Sequence, residues 1–352
     1  LTWSAVSGME TLLHALFAFL VLSALITGSR RYLTLGLLVG LSVWVRPDGM
    51  TLLGPIIFTA LLAESTWSAR GTAFVKTAIG FGALFLPYLL FNLALSGNPM
   101  PNTFYAKQAE YEAVWLSRSL EDRFVDYLSP IIASPFLVLI PGAAIWLIKM
   151  IRSRNWGALA GVIWFFGYIA IYFMRLPAYQ HGRYIIPALP ILYLWGVIGF
   201  LEFVTSPGAN ARLVFIWQRL LSVFCLMFAF VAARQNAYDV YWIESEMVET
   251  AKWVQANTPP DALLAVHDIG ALGYHVSNPI VDLAGLITPE VVPFIRDEPR
   301  LAEYLVETSS DYLIVFRNDY PNLTAPLAPV YVAGQEPGPI QFEYDMHVFQ
   351  LK

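Results

Sequence analysis

Eight apolar segments follow one another over the first two thirds of the chain and limit what it can fold into. They lie at about residues 9–27, 33–45, 50–63, 77–95, 131–151, 156–174, 184–204 and 213–233. A helix needs about 20 apolar residues to cross the hydrocarbon core of a bilayer, and six of the segments approach that length. Only 13% of the residues are charged, against about 25% in ordinary soluble domains. The sequence therefore predicts a polytopic α-helical membrane domain.

The two short segments flank the polar tetrapeptide Arg46-Pro47-Asp48-Gly49. Pro47 has no N–H and Gly49 permits a positive φ, so the tetrapeptide suits a tight reversal. We expect a re-entrant-like helical hairpin whose tip lies below one membrane face, in protein or in a water-filled cavity. Arg46 and Asp48 would be costly at that depth, which marks them as functional candidates. The alternative is a solvated tip at the surface.

A break in charge divides the chain near residue 237. Residues 1–237 carry a net charge of +7, with 16 Lys and Arg against 9 Asp and Glu; residues 238–352 carry 5 against 17, a net charge of −12. After the break, short apolar runs alternate with helical patterns, which is typical of a small soluble α/β domain. We therefore predict a transmembrane domain at 1–236 and an α/β domain at 237–352. Its predicted strands are 263–267, 280–283, 312–316, 329–333 and 341–350.

Basic residues of the short loops set the expected orientation. If the segments alternate, most of these residues fall on one side, which the positive-inside rule makes cytoplasmic. The long loop at 96–128 and everything after Arg234 then face outward. Within that loop, residues 108–128 predict an amphipathic helix at the membrane interface. Its expected aromatic face comprises Tyr111, Trp115, Phe124 and Tyr127.

Several classes of protein and site are excluded or disfavoured. Cys225 is the only cysteine, so an internal disulfide and a metal site of several cysteines are both impossible. We find no P-loop, no dinucleotide fingerprint and no basic groove pattern for nucleic acid. The chain begins at Leu1 without a signal-peptide pattern, so we expect it to be the C-terminal part of a longer protein.

Two candidate sites lie early in the chain on the predicted outer side. Glu10 stands where a helix begins, and the helix dipole favours a carboxylate there. It is either a helix-start residue or a carboxylate that orients the acceptor or binds a metal. Arg46 carries a planar guanidinium suited to gripping a phosphate, and Asp48 could orient it.

Two further polar groups lie on the same predicted side. Lys107 offers a point charge for a phosphate, and Asn102 and Tyr105 offer hydrogen bonds to sugar hydroxyls. An ordinary interfacial loop with a snorkelling lysine is the alternative. The segment His181-Gly182-Arg183-Tyr184 precedes an apolar run. Its histidine and arginine suit a phosphate or pyrophosphate head group, or serve as topology and anchoring residues.

Taken together, these residues resemble the integral-membrane GT-C glycosyltransferases. That superfamily takes a sugar from a polyprenyl-phosphate carrier on the outer side of the bacterial inner membrane. The chain is most similar to the terminal β-arabinofuranosyltransferases and their relatives. The matching pieces are Ser7-Gly8-Met9-Glu10-Thr11, Arg46-Pro47-Asp48-Gly49, Asn102-Thr103-Phe104-Tyr105-Ala106-Lys107, His181-Gly182-Arg183-Tyr184, Asp268-Ile269-Gly270-Ala271-Leu272-Gly273-Tyr274 and Asp282-Leu283-Ala284-Gly285-Leu286.

The resemblance implies a hexosyl- or pentosyltransferase that acts on a cell-envelope glycan or lipid acceptor. An acidic residue would deprotonate the acceptor hydroxyl, and Arg46, Lys107 and Arg183 would stabilise the departing lipid phosphate. The family's usual catalytic Asp or Glu lies in a first outer loop that this chain lacks, so we expect it upstream of Leu1. Glu10 and Asp48 are then secondary catalytic candidates.

The same resemblance bears on cofactors and on the acceptor. A divalent cation, Mg²⁺ or Mn²⁺, acts in some members, but no ligand cluster here requires one. The extracytoplasmic domain would position the acceptor, with Asp268, His275 and Asp282 as candidates. All three are equally explained as loop and turn residues.

Two other classes of function stay open. One is a transporter or flippase for lipid-linked sugars, which should carry polar residues along several helices and on both sides of the midplane. The other is a non-catalytic assembly or sensor protein with an extracytoplasmic binding domain, which would need none of Arg46, Asp48 or Arg183. The expected partners are the lipid-linked donor, the acceptor and membrane lipids, without nucleic acid.

Overall fold

The computed structural model describes residues 9–177, 182–334, 342 and 344–352. The chain divides into two compact units. The first comprises Leu1–Pro99 and Val114–Ala233, and the second comprises Met100–Ala113 and Arg234–Lys352. The predicted domains assign Met100–Ala113 to the membrane part, whereas its contacts group it with the C-terminal part.

Helices make up the described part of the first unit. In chain order they are α1 (Thr11–Ile26), α2 (Tyr32–Val45), α3 (Leu53–Ala63), α4 (Trp67–Ser96), α5 (Asn102–Ser117), α6 (Leu120–Ile132), α7 (Phe136–Arg152), α8 (Trp156–Arg175), α9 (Leu189–Val204) and α10 (Ala211–Trp242). Helices α5 and α10 contain residues of both units.

Three helices among the described residues are long and apolar enough to cross a membrane. They are α4, α8 and the continuous helix Ala211–Asn257 that includes α10. Helices α6 and α7 pass the same test as a pair that is bent by 86°. Helices α1, α2 and α9, and the stretch Pro47–Ala63, are apolar but shorter. A mostly helical chain with several candidate spans is compatible with a multi-pass membrane protein, as predicted.

The predicted break between the two short segments is present, but its form differs from the expected hairpin. Helix α2 ends at Val45. The next residue, Arg46, has an extended backbone (φ −149°, ψ 134°), and a 3₁₀ stretch over Pro47–Leu52 leads into α3. Gly49 does not have a positive φ. A Cβ on Gly49 would overlap Ser42, so glycine is needed there for close approach. The arms pack mainly elsewhere, α2 on α4 and α3 on α8.

Glycines lie at the closest helix crossings of the first unit. Gly36 of α2 and Gly80 of α4 each face the backbone of the other helix, so that an added Cβ would overlap a carbonyl oxygen. Gly142 of α7 and Gly199 of α9 have the same relation to the opposite helix. Small residues that let backbones approach are typical of helix packing in membranes. Two pairs of helices, α2 with α4 and α7 with α9, are thus packed at close range.

The predicted amphipathic helix at 108–128 is two helices, α5 and α6. Ser119 begins the second one, because its Oγ accepts a hydrogen bond from the N–H of Asp122 at 3.1 Å, which is a strong start signal. The expected aromatic lipid face is also wrong in part. Tyr111, Trp115 and Tyr127 are buried and Phe124 is exposed, because three of the four rings pack within the protein.

A five-stranded mixed sheet forms the centre of the second unit, confirming the prediction of a small α/β region. Its strands are β1 (Leu264–Val266), β2 (Ile280–Asp282), β3 (Tyr312–Phe316), β4 (Pro329–Val332) and β5 (Met346–Gln350), and its helices are α11 (Glu249–Asn257), α12 (Ile269–His275), α13 (Glu298–Glu307) and α14 (Pro321–Thr324). The order is β2-β1-β3-β5-β4. Strand β1 is parallel to both β2 and β3, and β5 is antiparallel to β3 and β4.

Both faces of this sheet are covered. Leu313 and Val315 of β3 pack in a cluster with Leu301 of α13. Ile314 of the same strand packs on the other face with Val254 of α11. Alternate residues of one strand therefore serve two cores, which explains why this strand is a continuous apolar run.

Candidate functional site

A buried ionic cluster lies in the first unit around Arg46. We call it the Arg46 cluster, and it contains Glu10, Arg46, Asp48, Tyr168 and Tyr172. The Arg46 guanidinium donates from Nη1 to Glu10 Oε1 at 2.9 Å and from Nε to Asp48 Oδ1 at 3.1 Å. The hydroxyls of Tyr168 and Tyr172 both donate to Asp48 Oδ2 at 2.6 Å. Three of the sequence candidates, Glu10, Arg46 and Asp48, thus meet.

The helix break and α8 hold this cluster in place. Arg46 and Asp48 flank the first residue of the 3₁₀ stretch, and the two tyrosines lie one turn apart on α8. Thr51 donates through Oγ1 to the carbonyl oxygen of Asp48 at 2.7 Å, and the Trp164 indole donates to the same Oγ1 at 3.0 Å. The 3₁₀ stretch is therefore fastened to α8 at several points.

The two carboxylates of the cluster differ in their exposure and in the hydrogen bonds that their oxygens already accept. The Asp48 side chain is only 12% exposed, and both of its oxygens already accept hydrogen bonds. The Glu10 side chain is 42% exposed. Arg46 contacts Oε1 of Glu10, and Oε2 has no partner among the described residues. Asp48 can orient Arg46, whereas Glu10 has one carboxylate oxygen that can accept a proton or a hydrogen bond from a substrate.

Tyr184 adjoins the Arg46 cluster. Its ring stacks on that of Tyr172 with centroids 5.2 Å apart, and the Arg183 guanidinium lies 5.5 Å from the Tyr184 ring. Tyr184 therefore contacts a member of the Arg46 cluster, and a shared phosphate site for Arg183 stays a prediction. His181, the other candidate of that segment, lies outside the described residues.

His14 is a residue beside this cluster that the sequence reasoning missed. It is fully buried on α1, with its ring 6.3 Å from that of Tyr168. Neither ring nitrogen has a hydrogen-bond partner among the described residues, and the buried hydroxyl of Thr11 has none either. The available signal was a histidine one turn after Glu10 in an apolar helix. Unpaired buried polar groups are rare in native proteins and call for an explanation.

We expect His14→Leu to stabilise the protein by about 1–3 kcal/mol, because it removes an imidazole that is buried without partners. Unfolding in mixed detergent micelles measures the change. Thr59→Val is the matched control, since the buried Thr59 hydroxyl also lacks a partner among the described residues. A loss of stability in His14→Leu, with a gain in the control, would show that the imidazole is paired in solution.

A second ionic cluster lies in the second unit around Glu110. We call it the Glu110 cluster, and it contains Lys107, Glu110, His267, Arg296 and Tyr320. Glu110 Oε1 lies 3.3 Å from both His267 Nε2 and Arg296 Nη2, and Oε2 accepts from Lys107 Nζ at 3.1 Å. The Tyr320 hydroxyl lies 2.6 Å from His267 Nδ1. With its proton on Nε2, this imidazole donates to Glu110 and accepts from Tyr320.

The sheet topology places this cluster where α/β sheets bind ligands. The chain leaves β1 for β2 on one side and returns to β3 on the other, which makes the carboxyl ends of β1 and β3 a topological switch point. His267 and Asp268 directly follow β1, and Tyr320 follows β3 after a short 3₁₀ turn. Glu110 comes from α5. Sequence reasoning found the strands but not the switch point, because strand order is not visible in a sequence.

Charge and burial shift the pKa values of two carboxyl groups here in opposite directions. Burial alone would raise the pKa of Glu110, but the hydrogen bond from His267 and the charge of Lys107 outweigh it and lower the pKa to about 2. Burial raises the pKa of Asp268 despite the nearby His267, and Asp319 and Glu110 raise it further. Asp268 makes no hydrogen bond or ion pair with the described residues. A half-buried, unpartnered carboxyl group of this kind is a functional candidate.

The contacts of the other candidates in the second unit are those of structural residues. Asp282 is fully buried, and its carboxylate accepts from the backbone N–H groups of residues 284, 286 and 287. It shapes a loop, which was one of its two sequence interpretations. His275 ends α12 with its ring edge-on to Tyr274. Asn102 begins α5, and Tyr105 lies edge-on to Phe104.

A comparison with protein families gave a match. Residues 234–348 match the model of a domain of unknown function, DUF8728. All of these residues belong to the second unit. No curated protein matches the chain.

The candidates thus fall into two groups. Glu10, Arg46, Asp48, Arg183 and Tyr184 lie in the first unit, and Asn102, Tyr105, Lys107, Asp268, His275 and Asp282 lie in the second. The convergence of Lys107 with Arg46 on one cavity stays a prediction. No group of three or more His, Cys, Asp or Glu side chains within the described ranges could hold a metal ion.

Proposed function

We propose that this protein transfers a sugar from a polyprenyl-phosphate carrier to a glycan or lipid acceptor of the cell envelope. The reaction takes place at the outer face of the bacterial inner membrane. The Arg46 cluster is the observation that carries the proposal. Arg46 and Asp48 are largely buried inside an apolar helical unit, where charged groups are costly and mark functional sites.

Glu10, a secondary catalytic candidate of the sequence, serves as the proton acceptor in this proposal. Glu10 Oε2 takes the proton of the acceptor hydroxyl while the hydroxyl oxygen attacks the anomeric carbon of the donor sugar. The new oxygen–carbon bond forms as the bond between the anomeric carbon and the phosphate oxygen breaks. The polyprenyl phosphate leaves with the bonding electron pair. Asp48 does not touch the substrate and serves to orient Arg46.

Arg46 meets the charge that develops on the leaving phosphate. Its guanidinium has five N–H groups, and contacts to Glu10, Asp48 and Tyr172 engage one each. As far as the described residues go, two N–H groups remain for phosphate oxygens, which is the number a bidentate contact requires. Arg183, whose guanidinium lies beside the Tyr184 ring, supplies a further cation.

The second unit positions the acceptor in this proposal. Asp268 supports that role because its carboxyl group lies at the carboxyl end of β1 and has no partner among the described residues. A carboxyl group in this state can accept hydrogen bonds from sugar hydroxyls.

A transfer assay with Glu10→Gln tests the proposal. The purified full chain in vesicles receives a radiolabelled polyprenyl-phosphate sugar and membrane acceptor. We expect transfer to fall at least about 100-fold, the loss typical of a missing general base. Binding of the donor should persist because Arg46 is retained.

Glu121→Gln is the control, since Glu121 is an exposed carboxylate on α6. Unchanged transfer in Glu10→Gln would refute the role of Glu10. If the wild-type chain moved the intact donor across the vesicle membrane without forming product, the transporter hypothesis would replace the enzyme hypothesis. If the chain neither transferred the sugar nor moved the donor, the hypothesis of an assembly or sensor protein would be favoured.

A further inference from the structure

Helix α6 is held firmly at a right angle to the helix that follows it. The angle between α6 and α7 is 86°. Tyr127 anchors α6 to the first unit, because its ring is buried and its hydroxyl donates to the carbonyl oxygen of Leu176 at 2.6 Å. The Phe173 ring of α8 lies 4.8 Å from that of Phe124 and 5.6 Å from that of Tyr127. The direction in which each face of α6 points is therefore fixed.

Three kinds of side chain divide the surface of α6 into three faces. At about 100° per residue, one arc is apolar and exposed, an opposite arc is polar, and a third arc between them packs on the protein. The exposed apolar residues are Leu120 (65% exposed), Phe124 (55%), Val125 (61%), Leu128 (44%) and Ile132 (50%). The polar arc contains Asp122, Asp126 and Ser129, and Arg123 at its edge packs on the Trp115 ring. Glu121, in the first turn, is a charged residue on the apolar side.

We propose that α6 lies in the plane of the membrane with its exposed apolar face among the acyl chains at the interfacial boundary. Each face then has a matching neighbour: the exposed apolar face contacts lipid, the polar face contacts water, and the third face packs on the helical unit. A helix of this kind buries its apolar face about 5–10 Å into the boundary between head groups and acyl chains. The inference is independent of the proposed catalytic activity.

Continuity with the neighbouring helix argues for lipid as the occupant of this face. Helix α7 carries exposed apolar residues directly after the bend, with Leu137 at 43% and Ile140 at 44% exposure. If α7 enters the bilayer, a helix at 86° to it runs along the surface. The polar face then stays in water, where Arg118 pairs with Asp126 at 2.7 Å. A descent of α6 as half of a re-entrant loop would instead take several charges into hydrocarbon.

Spin labels on single cysteines test this arrangement in the full chain. Cys225→Ser removes the native thiol, and cysteines replace Phe124, Leu128 and Ile132 on the apolar face and Asp122 and Ser129 on the polar face. The protein is reconstituted in vesicles of phosphatidylethanolamine and phosphatidylglycerol. Collision with oxygen reports contact with lipid, and collision with a water-soluble nickel chelate reports contact with water. Val306→Cys is the control, because Val306 is an apolar residue of the second unit that is 78% exposed.

We expect the three apolar positions to collide several-fold more with oxygen than with the nickel chelate, with the opposite ratio at the two polar positions and at the control. Three results would overturn the proposal. Equal access of the nickel chelate to both faces would place α6 in water. Oxygen contact at all five positions would make it re-entrant. Low collision with both reagents on the apolar face would mean that protein covers it.

Discussion

Asp48→Ala should destabilise the protein by about 3–5 kcal/mol, the usual result of removing one partner from a buried ion pair. The Arg46 side chain is only 9% exposed and would keep Glu10 as its remaining carboxylate partner. The hydroxyls of Tyr168 and Tyr172 would both lose the oxygen that accepts their hydrogen bonds. Equilibrium unfolding of the purified chain in mixed detergent micelles measures the loss.

Asp126→Ala is the matched control for this prediction. Asp126 also pairs with an arginine, but that Arg118 side chain is 44% exposed, and surface pairs contribute only about 0–1 kcal/mol. The double variant Arg46→Met with Asp48→Leu separates charge from packing. It should recover much of the stability, because apolar residues of similar size can replace a buried pair. Equal effects of Asp48→Ala and Asp126→Ala would show that the Arg46 cluster is hydrated.

Glu110→Ala should cost about 1.5–3 kcal/mol, the range for a hydrogen bond to a charged group that is lost in a buried site. Glu110 is the shared carboxylate partner of Lys107, His267 and Arg296. Lys107 and Arg296 are partly exposed, so water can replace some of what they lose. Glu303→Ala is the control, since Glu303 forms an exposed pair on α13. Similar losses in the two variants would contradict a special role for Glu110.

The pH dependence of Glu110→Gln provides a second check with a definite sign. The pKa of Glu110 is lowered to about 2 in the folded protein from an ordinary value of 4.5. A lowered pKa means that the ionised carboxylate stabilises the fold above the ordinary value. That contribution is lost as the pH falls through the folded value. The stability difference between wild type and Glu110→Gln should therefore be constant above about pH 5 and shrink towards pH 2. A difference that grows on acidification would refute the assignment.

Local features of the sequence predicted much of the architecture. The apolar runs gave the helices, because burial in lipid requires only length and composition. The break at Arg46 followed from the proline and the charges around it. The strand at Tyr312–Phe316 was visible because a strand buried on both faces is a continuous apolar run. None of these required knowledge of distant partners.

The partners within each cluster could not be predicted, because they come from distant parts of the chain. Asp48 meets Tyr168 across 120 residues, and Glu110 meets Arg296 across 186 residues. A tyrosine in an apolar helix is equally typical of an interfacial anchor. The role of Gly49 was also misjudged, since steric contact with Ser42, not backbone conformation, explains the glycine.

The grouping of Met100–Ala113 with the C-terminal part changes what counts as one folding unit. The match to the domain family begins at residue 234, yet Glu110 and the fully buried Ala106 come from the earlier segment. Excising residues 234–352 as an autonomous piece would leave His267 and Arg296 facing water without their shared counter-ion. The fold of the sheet region thus includes a segment from far upstream in the chain, and a fragment that begins at residue 234 lacks it.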